Sequence, residues 1–247
     1  MRIPRIYTPQ TLIPGATVRL EAAASQHILK VLRLTPSQPL SLFNNSPWDY
    51  PAVLQAIDSG SAWVLIQAPL ANSATSPLTT ILVQGLSRAE RMDFTIQKAV
   101  ELGISQIIPV QTERSLVKLD AKRALTRHQH WQQVIHSACE QCGRSELPQL
   151  HEVMPLWAGL QHPAVAASHR WLLDPQATHR LAQHSPAPTH IALLIGPEGG
   201  FSELERQQAH HSGFTGMCLG PRVLRTETAA LAALAVIQHQ WGDLAGA

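Results

Sequence analysis

Residues 193–205 carry the densest chemical signal in the chain: Leu193-Leu194-Ile195-Gly196-Pro197-Glu198-Gly199-Gly200-Phe201-Ser202-Glu203-Leu204-Glu205. An apolar strand runs into a glycine-rich loop, and the loop opens a helix. Ser202 and Glu205 stand at the S-x-x-E spacing of a capping box, which fixes where that helix begins. Glycines without side chains let a ligand approach the backbone, and a helix N-terminus presents free N–H donors. The pattern lacks the Lys-Thr or Lys-Ser of a nucleoside-triphosphate loop, and it is not G-x-G-x-x-G, which argues against a dinucleotide. A tight turn with no ligand explains such a loop equally well when it stands alone.

A second loop of the same kind follows. Cys218-Leu219-Gly220-Pro221-Arg222-Val223-Leu224-Arg225-Thr226-Glu227-Thr228-Ala229 again passes from a strand through a glycine turn into a helix. That helix is rich in alanine, so other backbone can pack closely on it. Arg222 and Arg225 flank the turn, and Glu227 follows. Ligands of open parallel sheets bind beyond the carboxyl ends of the strands. Two glycine loops, expected at adjacent strand ends with two arginines and a carboxylate beside them, make a better site than either alone.

The elements that must hold these loops change character along the chain. Short β-like runs occupy residues 18–20, 40–43, 52–57 and 62–67, punctuated by Pro14-Gly15, Pro36, Asn44-Asn45 and Ser59-Gly60. One helix is predicted over residues 25–34, with Ile28, Val31 and Leu32 on its apolar face. A small β-barrel with one helix fits these residues. Residues 69–77, bounded by prolines and without hydrophobic period, read as a linker or long loop. Beyond them strands and helices alternate. Strands are predicted at 80–83, 104–110, 170–173, 191–195 and 215–219, and helices at 88–102 (capped by Gly103) and 121–141. Apolar strands alternating with helices predict a parallel sheet covered on both faces. The expected boundaries are 1–70 for the barrel, 71–77 for the linker and 78–247 for the α/β domain.

Composition narrows the function. The 247 residues are 45% hydrophobic and 15% charged, a globular composition. No apolar run is long enough to cross a bilayer, and the first residues lack the apolar core of a signal peptide, so a cytoplasmic protein is expected. Three cysteines cannot form a disulfide framework, and the lone Cys139-x-x-Cys142 sits in a helical pattern without a second pair, so no metal is expected. The thirteen histidines are scattered, with no H-E-x-x-H. Net charge is +2, but its distribution is uneven: Arg2, Arg5, Arg19, Lys30 and Arg33 face only Glu21 within residues 1–33. Residues 77–247 balance. A basic N-terminal end suits phosphate contact.

Taken together these segments resemble the SPOUT-class methyltransferases of the RsmE family, which methylate N3 of a uridine in bacterial 16S rRNA. The resemblance covers almost the whole chain. It includes residues 1–7, His27 with Val31-Leu32-Arg33, residues 91–103, Thr112-Glu113-Arg114-Ser115, residues 138–144, residues 195–200 and residues 219–229. One departure is Asn44-Asn45, where the family often has Asp-Gly. Asparagine tolerates the left-handed conformation, so the turn should keep its shape.

The resemblance implies an α/β fold in which an N-terminal PUA-like β-barrel precedes a C-terminal SPOUT domain, a parallel sheet flanked by helices with a deep trefoil knot. It implies a homodimer acting on 16S rRNA, within small-subunit particles, at uridine 1498 in conventional rRNA numbering. S-adenosyl-L-methionine would be the methyl donor, held mainly by backbone and apolar contacts from Leu173, Ile195, Gly196, Gly199, Gly200, Leu219, Gly220, Val223 and Leu224. Arg225 is the first candidate to stabilise charge developing on the uracil, and Arg144 the second. Glu198 or Glu227 would accept the N3 proton or hold an arginine in place. RNA contacts are expected from Arg2, Arg5, His27, Lys30, Arg33, Arg88 and Arg91. Two other readings compete: a non-catalytic rRNA-binding assembly factor of the same fold, and an α/β enzyme acting on a small nucleotide. Intact glycine loops and Arg225 speak against the first, and the basic N-terminal end against the second.

Overall fold

The computed structural model describes residues 3–178 and 187–245. Arg2 therefore lies outside the described residues. The chain divides into two compact units, Met1–Thr75 with His136–Leu147, and Ser76–Ile135 with Pro148–Ala247. The segment from His136 joins the first unit although it continues a helix begun in the second.

In the first unit, β1 (Arg5–Tyr7), β2 (Thr17–Arg19), β3 (Pro39–Phe43), β4 (Trp48–Asp58), β5 (Ser61–Ile66) and β6 (Leu70–Ala71) form one sheet of order β1-β3-β4-β5-β2, with β6 on β4. β1 runs parallel to β3, and the other pairs are antiparallel. Alternation along β3 to β5 sends Leu40, Leu42, Leu54, Val64 and Ile66 into a core with Ile6, Leu20 and Ile28. The β4–β5 turn places Ser59 at φ 48 and Gly60 at φ 76, the left-handed pair of a tight hairpin. Asn45 takes φ 62, as expected of the asparagine turn.

Three expectations for this unit are corrected. Among the described residues no ladder joins β1 to β2, so the expected small β-barrel is not closed by backbone hydrogen bonds. Side chains bridge that edge instead: Thr8 Oγ1 donates to Glu21 Oε2 at 2.6 Å, and Gln10 Nε2 donates to the Arg19 carbonyl at 3.0 Å. The helix is α1 (Ala22–Gln26) followed by a π-helical turn, His27–Val31, in which Leu32 N–H reaches back to His27 O. The wider turn keeps Ile28 fully buried but rotates Val31 outward, leaving it 69% exposed. Finally, the stretch read as linker opens with β6, whose Leu70 and Ala71 register with Asp49 and Trp48.

In the second unit all strands are parallel: β7 (Thr79–Gly85), β8 (Gln106–Gln111), β9 (Gln149–Leu150), β10 (Met154–Pro155), β11 (His169–Leu173), β12 (His190–Ile195) and β13 (Thr215–Met217). The order is β10-β8-β7-β12-β11-β13, with β9 on β8. The helices are α2 (Ala89–Glu101), α3 (Ala121–Cys142, which passes into the first unit at His136), α4 (Leu156–Leu160), α5 (Pro163–Ala166), α6 (Glu203–His211) and α7 (Thr226–Trp241). Ile81 and Val83 face a core with Leu156, Leu160, Val165, Ala209 and Phe214, so α4, α5 and α6 cover that side. Leu82 and Leu193, on the alternate face, are also fully buried, and α7 packs on β12 and on α2. The sheet is thus covered on both faces, which is why its strands read as unbroken apolar runs. Gly103 ends α2 at φ 78, as its position predicted.

Strand order corrects one further expectation. β12 and β13, which feed the two glycine loops, are not neighbours; β11 lies between them and pairs with both.

Candidate active site

Beyond the carboxyl ends of β12, β11 and β13 the second unit opens a cleft of about 380 Å³. That is within the range of roughly 300–1,000 Å³ usual for small-molecule sites. Its floor is apolar, from Leu173, Ile195, Met217 and Leu219, and its rim carries Arg91, Glu198, Arg222 and Arg225. Of the nine residues expected to hold a cofactor, Leu173, Ile195, Gly196, Gly200, Leu219, Gly220, Val223 and Leu224 line this cleft, and Gly199 does not. Because β11 separates the two glycine loops, its own exit supplies Leu172, Leu173 and Asp174 as a third wall.

The glycines have specific reasons to be glycine. A Cβ on Gly196 would stand 3.2 Å from the Phe201 ring and 3.3 Å from Gly200 Cα. Gly200 and Gly220 take φ 66 and 92, left-handed values that glycine adopts without steric penalty. Gly199 turns toward Arg114, whose carbonyl oxygen would lie 3.0 Å from an added Cβ, so its small size serves loop packing. At the end of β7, a Cβ on Gly85 would meet Pro197 Cδ at 2.6 Å, so the loop after β12 rests directly on that strand end.

The capping box is present. Ser202 Oγ accepts from Glu205 N–H at 3.3 Å, and Glu205 Oε2 accepts from Ser202 N–H at 2.9 Å. Glu205 does more than its spacing announced: its buried Oε1 accepts from Glu113 N–H at 2.7 Å, tying the loop of residues 112–115 to the glycine loop. Arg114 Nη1 adds a long bond to the Gly199 carbonyl at 3.4 Å.

The charged groups at the rim are paired unevenly. Glu198 Oε1 pairs with Arg91 Nη1 at 3.2 Å and accepts from Arg88 N–H at 3.1 Å, while its Oε2 is buried without a partner. Arg91, expected on RNA, therefore faces the cleft. Glu227, half-buried, is not among the lining residues. Among the described residues no carboxylate pairs with Arg225 or Arg222; both are exposed. Arg225 is also the N-cap of α7, and it caps with no side-chain hydrogen bond.

Two residues overlooked in the sequence organise this region. Thr226 Oγ1 donates to the Gly196 carbonyl at 2.6 Å, and Gln84 Nε2 donates to Thr226 Oγ1 at 3.0 Å. The available signal was Gln84 itself, a polar residue closing the apolar run of β7 and fully buried.

The remaining expected residues lie in the first unit. Arg144 is 7% exposed, and its carbonyl accepts from Arg5 Nη2 at 3.1 Å. Arg5, expected on phosphate, pairs with Asp49 and stacks 4.9 Å above the Phe43 ring. Lys30 and Arg33 are exposed, and Arg33 holds φ 54 where the π-helical turn ends. His27 is half-exposed, with Nδ1 4.0 Å from Glu140 Oε2. Glu140 also accepts from Tyr7 N–H, yet burial holds its carboxyl above the usual range. Cys139 and Cys142 are both free thiols, and the hydrogen bond between them, together with burial, pushes the Cys139 thiol up. No helix among the described residues is long and apolar enough to cross a membrane.

Comparison with known proteins accords with this geometry. Residues 74–238 match the family model of an RNA methyltransferase domain. The chain is 33% identical over 251 residues to the ribosomal RNA small subunit methyltransferase E of Buchnera aphidicola subsp. Schizaphis graminum, covering 98% of each. A methyltransferase of Legionella pneumophila, solved with its cofactor SAM bound, is similar at TM-score 0.93 and 38% identity, over 99% of this chain and 100% of that one. The ribosomal RNA small subunit methyltransferase E of Neisseria gonorrhoeae, solved bound to S-adenosyl methionine, gives 0.91 and 37%, over 98% and 100%.

Proposed function

The chain belongs to the family of ribosomal RNA small subunit methyltransferases E, and from that premise we propose that it transfers a methyl group from S-adenosyl-L-methionine to N3 of uridine 1498 in 16S rRNA. The observation that carries this reading is the meeting of two glycine turns, Gly196 to Gly200 and Leu219 to Leu224, in one cleft with the unpaired Arg225 at its rim. The cleft suits the methyl donor. Gly196 and Gly200 leave backbone open to a ligand, Leu173, Ile195 and Leu219 offer apolar contact, and Asp174 offers an acceptor to hydroxyl or ammonium groups.

A methyl group on a sulfonium is already a strong electrophile, so the protein's task is mainly to hold the reactants in line. Uracil N3–H must lose its proton before or during attack, and the charge spreads to O2 and O4. Arg225 meets that charge with an uncommitted guanidinium. Glu198, with one oxygen on Arg91 and Arg88 N–H, orients the rim; its Oε2 and that of Glu227 are both buried carboxylate oxygens without a partner, and one of the two accepts the N3 proton. Arg144 is the second candidate for the cationic role.

The same reading includes a PUA-like first domain gripping RNA through Lys30, Arg33 and His27, a trefoil-knotted second domain, a cytoplasmic homodimer and a substrate within small-subunit particles. A non-catalytic assembly factor would have no use for an apolar cleft with a free arginine. Nucleoside analysis of 16S rRNA from cells with and without the gene tests the proposal. Loss of 3-methyluridine on deletion is expected, and an unchanged level overturns it.

A further inference from the structure

Gln84 and Thr226 lie 142 residues apart, yet they form one hydrogen-bonded relay beneath the cleft. Gln84 Nε2 donates to its own neighbour's carbonyl, Gly85 O, and to Thr226 Oγ1, each at 3.0 Å. With a lone pair of Thr226 Oγ1 thus occupied, the hydroxyl proton points to Gly196 O at 2.6 Å, the short distance of a well-aligned O–H···O bond. All the side-chain atoms involved are buried: Gln84 is 0% and Thr226 7% exposed.

The relay connects the parts that must be in register. Gly196 begins the loop after β12. Thr226 is the first residue of α7 and directly follows Arg225, whose backbone (φ −65, ψ 155) has no capping side chain of its own. Gly85 supports the same place from below, through its contact with Pro197. The hydroxyl of Thr226 is therefore a direct side-chain tie between the loop carrying Gly196 and the loop carrying Arg225. Gln84 is fully buried and Gly196 partly so, and loss of the hydroxyl leaves one Gln84 N–H and the Gly196 carbonyl short of a partner.

Resting on the methyl-transfer reading, we propose that Gln84 and Thr226 are positioning residues: they set the spacing of the two glycine loops, and with it the placement of Arg225 over the bound donor. Gln84 lies outside the cleft lining, and Thr226, which lines it, has its hydroxyl committed to Gly196 O. Both act through Gly196 and Arg225.

The test measures S-adenosylhomocysteine affinity by calorimetry and single-turnover methylation of 16S rRNA, below the melting temperature of every variant. Thr226→Val keeps the shape and removes the hydroxyl. It should weaken affinity roughly tenfold, as one lost buried hydrogen bond allows, and lower the saturated single-turnover rate further. Thr226→Ser, which restores the hydroxyl, should recover both to within about twofold. Gln84→Met removes the donor to Thr226 Oγ1 and to Gly85 O but keeps the Thr226–Gly196 bond, and should give a smaller loss in the same two quantities. If Thr226→Val does not fold, Gln84→Met decides. Unchanged affinity and rate in Gln84→Met or in Thr226→Val overturn the assignment, as does an equal loss in Thr226→Ser and Thr226→Val. A parental protein that binds S-adenosylhomocysteine but does not methylate 16S rRNA defeats the methyl-transfer reading. The affinity series still judges the relay in that event.

Discussion

Arg91 Nη1 stands 3.2 Å from Glu198 Oε1, and this pair, rather than one between Glu198 and Arg225, occupies the rim of the cleft. The distinction matters because a carboxylate bound to Arg225 would quench the charge needed beside an anionic uracil. With Glu198 engaged by Arg91 and Arg88 N–H, Arg225 is left available. Glu198→Ala should therefore loosen the start of α2, lowering the melting temperature and weakening donor binding. Removing one partner of a partly buried pair costs on the order of 1–3 kcal/mol. The saturated single-turnover rate should fall less than tenfold, since the residue mainly braces. A rate collapse with normal stability would instead make Glu198 the proton acceptor, through its free Oε2.

Glu205 connects three parts of the second unit: its own helix, the glycine loop through Ser202 N–H, and the 112–115 loop through Glu113 N–H. Glu205→Ala orphans two backbone donors at once and should cost about 2–4 kcal/mol. Because Gly199 packs on Arg114, donor affinity should fall as well. Thermal unfolding and calorimetry on one preparation check both effects; a variant as stable as the parent would show that the 112–115 loop is held by other contacts.

In the first unit, exposure separates two kinds of arginine. Arg5→Ala breaks a part-buried pair with Asp49 and should destabilise that unit by on the order of 1–3 kcal/mol. Arg33→Ala and Lys30→Ala should leave stability nearly unchanged. Each should instead weaken RNA binding at all sequences and reduce the salt slope by about 0.7–0.9 if it contacts a phosphate. RNA titrations at several salt concentrations decide. Equal slopes in the parent and in a variant carrying both Lys30→Ala and Arg33→Ala would remove these two residues from the interface.

Stability should also depend on pH in a definite sense. Burial, then the neighbouring His162 and His128, hold the His151 pKa below the ordinary histidine value, and burial does the same for His136. The unfolded chain thus binds more protons than the folded one below about pH 6.5, so stability is complete above that value and is lost as pH falls toward the depressed folded values. His151→Gln retains a side chain able to bond Gln106 and should flatten the loss. Melting temperatures at pH 7.5 and 5.5 give the comparison, and an identical drop in parent and variant would assign the effect elsewhere.

Local signals were legible in the chain, and long-range ones were not. The strand of residues 190–195 declares itself because both faces are buried, and the Ser202–Glu205 box because capping partners lie three residues apart. Strand order is different. The connection from β12 to β13 passes over β11, and nothing in 193–205 or 218–229 records that insertion. The pairing of Arg5 is illegible for a related reason: charge identifies the residue, but its partner Asp49 is 44 positions away. Val31 failed because the apolar face was drawn on a 3.6-residue period, and the π-helical turn breaks that period. Gln84 and Thr226 fall in the same class, since each is an ordinary polar residue until the other is placed beside it.

The proposed mechanism turns on Arg225. Its guanidinium is exposed, lines the cleft, and has no carboxylate partner among the described residues, while its backbone is held through Thr226 to Gly196. A residue with a fixed root and an uncommitted charge is suited to meet charge that appears only during reaction. Arg225→Ala removes nothing that the folded protein uses, so stability and donor affinity should stay close to parental. The saturated single-turnover rate should fall by roughly 10²–10³, the usual effect of deleting one group that stabilises developing charge. Arg225→Lys keeps the charge but not the planar fork, and should recover only part of the rate. The split between rate and affinity is the decisive reading, because a bracing residue would lose affinity or stability first. If Arg225→Ala methylates at the parental rate with saturating substrates, the cationic role passes to Arg144.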